Sequence, residues 1–198
     1  MEMMNILLFG IPCVGKNTIG RKLAEFMNLP FFNQQEEMEK LKGKTSWELS
    51  RSTYGDGYDR YKRETMEHIF KTHPEDKVIA VQPLYYYTMV MPFVLCPDTI
   101  SIVLEDSPEH IFKRVIIVDE KNNPVDRPEW KTAHKSYLIR EIKKDFTFYN
   151  NVRKHIERRF NVNNDSPEEA ALRLKELIEE EGGGPKEPEA EIRLDPGI

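Results

Sequence analysis

The chain has 198 residues, 39% of them hydrophobic and 32% charged, with a formal net charge of −5. That size and balance suit one soluble globular domain with a sizeable core, and the negative charge disfavours a nucleic-acid surface. No apolar run approaches the ~18 residues of a membrane span, the segment Met1-Glu2-Met3-Met4-Asn5 lacks the marks of a secretory signal, and Cys13 and Cys96 read as reduced thiols. The expectation is a cytoplasmic protein with neither nucleic acid nor membrane as partner.

The first element is a strand over residues 6–9, followed by Gly10-Ile11-Pro12-Cys13-Val14-Gly15-Lys16-Asn17-Thr18 and a helical run over residues 19–27. Strand, loop and helix form the context in which the pattern G-x-x-x-x-G-K-[ST] is a phosphate-binding loop. Its glycines let successive backbone N–H groups turn around an oxyanion, Lys16 adds a mobile positive charge, and the helix N-terminus adds unpaired donors. Gly10, Cys13, Val14, Gly15, Lys16, Asn17 and Thr18 are therefore expected to hold the phosphates of ATP. Asn17 stands where the pattern has a hydroxyl ligand for Mg2+. Its amide oxygen can coordinate the ion, but it is bulkier and points differently.

Further strands are expected over residues 31–32, 78–81, 100–104 and 160–162, alternating with helices, so the fold class is α/β: a five-stranded parallel sheet covered on both faces. Ser46, Ser107 and Ser166 each precede acidic first-turn residues and read as helix N-caps. Residues 119–130, with Asn122-Asn123-Pro124 and Asp126-Arg127-Pro128, read as a loop, and residues 136–158 as one long charged helix. From Gly182 the composition turns to Gly, Pro and Glu. The division is a domain over residues 1–181 and a solvated tail over 182–198. His68, His73, His110, His134 and His155 show no metal-site spacing.

An N-terminal phosphate loop, five short strands and a loop bearing Arg127-Pro128 together resemble the shikimate kinase family of small P-loop kinases, over residues 5–180. The resemblance implies a three-layer α/β/α fold with a lid. It gives Lys16 the task of neutralising phosphates during catalysis, Arg127 that of closing the lid over them, and Arg114 that of packing against the adenine. On the acceptor side the resemblance weakens. Two family aspartates after the second strand become Asn33 and Gln35, amides that can hold a hydroxyl but not take its proton. Glu36 and Glu37 follow, either as substitutes or as solvated first-turn acids.

In Gly55-Asp56-Gly57-Tyr58-Asp59-Arg60 the spacing matches the family's G-E-x-x-F-R, which gives Arg60 the acceptor carboxylate; the other reading is an exposed, salt-bridged helix face. The family's glycine run after strand three is replaced by Gln82-Pro83-Leu84, followed by Tyr85, Tyr86 and Tyr87, either an aromatic pocket or core. Its second substrate arginine has only Arg140, Lys143 and Lys144 as neighbours in sequence. The implied function is transfer of the γ-phosphoryl group of ATP, with Mg2+, to a small hydroxylated acceptor other than shikimate, by a monomer or weak homodimer. Two alternatives stand beside it: a nucleoside or nucleotide kinase, and a catalytically weak nucleotide-binding regulator.

Overall fold

The computed structural model describes residues 4–84, 86–119 and 123–180; the tail expected over 182–198 and the side chain of Tyr85 lie outside them. The chain runs β1 (Asn5–Phe9), α1 (Lys16–Met27), β2 (Phe31–Asn33), α2 (Gln34–Lys42), α3 (Ser46–Arg51), α4 (Gly57–Thr72), β3 (Lys77–Ala80), α5 (Met91–Val94), β4 (Thr99–Glu105), α6 (Pro108–Arg114), α7 (Pro128–Ala133), α8 (Lys135–Arg153), β5 (Arg158–Asn161) and α9 (Pro167–Glu180). All five strands are parallel, in the order β2-β3-β1-β4-β5. Strands buried on both faces read as unbroken apolar runs, and Ile6, Leu7, Leu8 and Phe9 of β1 are fully buried. Gly20 lets α1 lie close on this sheet, since a Cβ there would sit 2.7 Å from the Phe31 ring.

β1 is the central strand, and the chain leaves it first toward β2 and β3, then crosses to β4 and β5. In open parallel sheets such a reversal of strand order opens a crevice beyond the strands' carboxyl ends, where ligands bind. The segment after β1 is the phosphate loop; Asn33 ends β2; Gln82 follows β3; Asp106 follows β4. Sheet topology thus gathers at one edge residues far apart in sequence.

Helix boundaries depart from the sequence expectation in three places. Thr45, rather than Ser46, caps α3: its hydroxyl accepts from the Glu48 N–H while the Glu48 carboxylate takes the Thr45 N–H, a reciprocal box. Ser46 instead gives its hydroxyl and N–H to Glu39. The loop expected over residues 119–130 ends at α7, which Pro128 opens because its missing N–H costs nothing in a first helical turn. The long helix stops at Arg153, not 158, where Glu105 at the end of β4 takes the guanidiniums of both Arg153 and Arg159 and leaves Phe160 to enter the core as part of β5. Ser107 and Ser166 cap α6 and α9 as expected. Among the described residues no helix is long and apolar enough to cross a membrane.

Candidate active site

The phosphate loop is built by backbone that only certain residues tolerate. Gly10 and Gly15 take φ of 143° and 111°, and a Cβ on Gly10 would lie 2.7 Å from the Leu104 carbonyl oxygen. Cys13 also has positive φ, 59°, and is exposed, while Val14 is buried and anchors the loop in the core. The Lys16 ammonium turns back to donate to the carbonyls of Gly10 (2.8 Å) and Ile11 (3.0 Å), and burial lowers its pKa to about 8. Thr18 donates to the Gly15 carbonyl, whereas the Asn17 side chain is exposed at the first turn of α1.

Sequence reasoning missed the loop's deepest support. The buried phenol of Tyr149, on α8, accepts the Gly10 N–H at 3.0 Å, and burial pushes that phenol's pKa well up. The signal was there: Ile142, Asp145, Tyr149 and Val152 recur at helical spacing on one face.

Asp106 organises the wall beyond β4. Burial opposes its ionisation, but hydrogen bonds from Arg114, His110 and the Ser107 N–H outweigh that and hold the carboxyl below its usual range. Arg114, paired with it, also donates to the Cys13 carbonyl at 3.3 Å, so the residue expected beside the adenine does border the phosphate loop. Arg127 is exposed at the N-cap of α7, and its guanidinium makes no hydrogen bond or ion pair among the described residues. Lys131 fixes α7 below it, donating to the carbonyls of Lys113 (2.9 Å) and Val115 (2.7 Å).

Beside the loop's Ile11 and Pro12 opens a cavity of about 440 Å³, walled by α4, by Gln82, Pro83 and Leu84 after β3, and by α8. Its buried polar base is a network. Lys62 donates to Asp59 Oδ1 (2.9 Å) and to the Pro83 carbonyl (2.6 Å), and lies 4.4 Å from the centre of the Tyr58 ring. Asp59 Oδ2 accepts the Tyr86 N–H at 3.0 Å. Gln34, fully buried, donates to the Lys62 carbonyl (2.8 Å) and accepts from the Gln82 N–H (2.7 Å), locking α2, α4 and the segment after β3 together. Desolvation lowers the pKa of Lys62, partly offset by Asp59.

Several residues expected on the acceptor side do not line this cavity. Arg60 is on the outer face of α4, paired with Asp56 at 3.0 Å, and does not line the cavity. The spacing Gly55 to Arg60 recurs two residues later as Gly57 to Lys62, and two positions on a helix differ by about 200°, so one cation faces out and the other in. Asn33 is the N-cap of α2: its Oδ1 accepts the Gln35 N–H (3.0 Å) and its Nδ2 donates to Glu36 (2.9 Å). The Gln35 side chain donates to Glu39 at 3.2 Å, supporting the start of α3. Glu36 is held by Arg21 and Glu37 by Lys40, as first-turn acids rather than cavity groups. Gln82 does line the cavity, and its Oε1 is buried without a hydrogen-bond partner among the described residues. Tyr87 stacks on His155 instead of facing the cavity, whose aromatic walls among the described residues are Tyr58, Phe148 and Tyr149. Of the charged residues of α8, the one that lines it is not Arg140, Lys143 or Lys144 but Asp145, whose carboxyl pKa is raised by burial and by Glu141.

Among the described residues no cluster of His, Cys, Asp or Glu could hold a metal by itself. That donor set fits a magnesium ion carried in on nucleotide phosphates, for such ions keep several waters and take few protein ligands. The exposed Asn17 amide is available as one; the Asn33 oxygen is already committed to its helix cap.

Known kinases resemble the chain in sequence and in fold. A shikimate kinase from Clostridium botulinum is 29% identical over 127 residues, 62% of this chain and 71% of that protein. The crystal structure of shikimate kinase from Bacteroides thetaiotaomicron superposes with a TM-score of 0.71 at 21% identity, covering 89% of this chain and 99% of that one. A gluconokinase structure from Sinorhizobium meliloti shares the fold more loosely, with a TM-score of 0.54 at 14% identity over 91% of this chain and 98% of that one. The family model for shikimate kinase matches residues 12–179, so the chain belongs to the shikimate kinase family and is an ATP-dependent kinase.

Proposed function

We propose that this kinase transfers the γ-phosphoryl group of ATP to a hydroxyl of a small acceptor seated in the cavity beside the phosphate loop, and that shikimate is not that acceptor. The observation carrying this reading is the charge of the cavity wall: α8 contributes Asp145, and the one cation among the described lining residues, Lys62, is already engaged by Asp59 and the Pro83 carbonyl. A carboxylate acceptor would face a like charge and find no free guanidinium fork. Lys16 would neutralise the phosphates, Asn17 would meet a nucleotide-borne Mg2+, Arg114 would border the base, and Arg127 would swing over the phosphates with the lid. Gln82 would contact the acceptor, while Asn33, Gln35 and Arg60 serve the surrounding helices. We place the reaction in the cytoplasm and in a monomer or weak homodimer.

A second reading, a nucleotide-binding regulator with weak turnover, is favoured by the amides Asn33 and Gln35 at the sheet edge. ADP release coupled to an optical readout, with MgATP and a panel of small polyols, tests both. Acceptor-dependent release supports the kinase reading; tight ATP binding without release from any acceptor supports the regulator.

A further inference from the structure

Three features of the cavity ask for the same kind of ligand group. Asp145 brings a carboxylate that has no hydrogen bond or ion pair among the described residues. The Gln82 Oε1, also on the wall, is a buried acceptor that receives no hydrogen bond among the described residues, and such an acceptor favours a ligand that brings a donor. Asp59 and Lys62 cancel each other's charge, so the lining carries a net negative charge from Asp145. Phe148 and Tyr149 add aromatic walls, while the Tyr58 ring already carries the Lys62 ammonium 4.4 Å from its centre. An acceptor carboxylate satisfies none of these demands. A protonated amine satisfies all three, giving N–H donors to Gln82 and Asp145 and a positive charge to the carboxylate.

We infer that the acceptor of this kinase is a small hydroxylated amine, with its ammonium group held by Asp145 and Gln82 and its hydroxyl turned toward the phosphate loop. This inference rests on the cavity being the acceptor site. The ammonium end would lie against α8 and the segment after β3, and the hydroxyl would approach Ile11 and Pro12, where the phosphate loop borders the cavity. Burial and Glu141 raise the Asp145 pKa, and a bound ammonium would reverse that by favouring the charged carboxylate. Glu141 itself is occupied by Lys144 at 2.7 Å, so it does not compete for the ligand.

The test is calorimetric binding to the full chain with ADP present, using two sets matched in skeleton and differing in charge: glucosamine, glucose and gluconate; serinol, glycerol and glycerate. The ammonium member of at least one set should bind about tenfold or more tighter than its neutral and anionic counterparts, as expected for a charged hydrogen bond in a partly buried site. That preference should shrink in Asp145→Asn, which keeps the shape of the side chain and removes its charge. Equal binding within both sets, no binding by any member, tighter binding of gluconate or glycerate, or a preference unchanged in Asp145→Asn would each overturn the inference. The result is separable from the phosphotransferase reading: ammonium-selective binding without ADP release sinks only the latter, and ADP release with a neutral or anionic acceptor sinks only the former.

Discussion

The phenol of Tyr149 accepts the backbone N–H of Gly10 at 3.0 Å, joining the last long helix to the first residue of the phosphate loop across 139 positions of sequence. The bond is buried, and it fixes the rotation of α8: Asp145, one helical turn earlier on the same face, is thereby turned toward the cavity. Tyr149→Phe preserves the ring but leaves the Gly10 N–H without a partner. The expected loss is ~1–3 kcal/mol of stability, the cost of a buried donor left unpaired. Urea unfolding reads it directly, and a change below ~0.5 kcal/mol would show that water or a loop shift satisfies Gly10 instead.

Nucleotide affinity should carry the titration of Lys16. Its pKa, lowered by burial to about 8, must rise when phosphate oxygens surround the ammonium, so binding takes up a proton wherever free Lys16 is deprotonated. Below the free pKa the lysine is charged in both states and contributes no pH dependence. As pH climbs through about 8 the affinity for ADP should fall, by up to about tenfold per unit, until the bound-state pKa is passed. Lys16→Ala should bind more weakly and lose this slope. Calorimetry between about pH 7 and about pH 9 decides the matter; parallel curves for the two proteins would rule out Lys16 as the titrating group.

The sheet and the loop were legible because their physics is local. A strand buried on both faces needs an apolar run, and a backbone with φ of 143° and 111° needs glycine, so β1 and the phosphate loop are written in consecutive residues. The acceptor side was not, because it depends on which way charged helices are rotated. Arg60 and Lys62 are two residues apart in a run of charges, and the sequence presents both at a glycine spacing that fits. Only packing of Met66 and Ile69 against the core turns Lys62 inward and Arg60 out. Nor does any local signal separate Gln34, which knits three segments together, from Gln35, which supports a neighbouring helix.

That difference in rotation has an energetic consequence. Lys62→Met leaves the Asp59 carboxylate buried without its ammonium, a change that costs ~3–5 kcal/mol. Arg60→Met breaks only an exposed pair with Asp56, worth ~0–1 kcal/mol. Adding Asp59→Asn to Lys62→Met should recover part of the loss, since the stranded charge is then gone. Denaturation midpoints for the three variants give the ranking, and equal destabilisation by Lys62→Met and Arg60→Met would contradict the burial on which the cavity assignment depends.

Shikimate itself is expected to be a poor substrate. Its carboxylate would approach Asp145 across a partly buried cavity, where like charges repel more strongly than in water, and the Lys62 ammonium has two of its three donors committed. Where the family carries carboxylates able to accept the hydroxyl proton, Asn33 and Gln35 are amides tied to helix ends, and a missing positioned base costs typically ~10² to 10⁴ in rate. Replacing Asp145 with Arg reverses the offending charge and supplies a planar fork that matches a carboxylate. In a coupled ADP-release assay the wild type should therefore turn over shikimate far below an ordinary ~10 per second, and Asp145→Arg should lower the KM for shikimate while leaving kcat depressed by the missing base. Ordinary turnover by the wild type would show that the cavity accommodates a carboxylate despite Asp145. A KM unmoved by Asp145→Arg would show that the acceptor's acid never reaches this wall of α8.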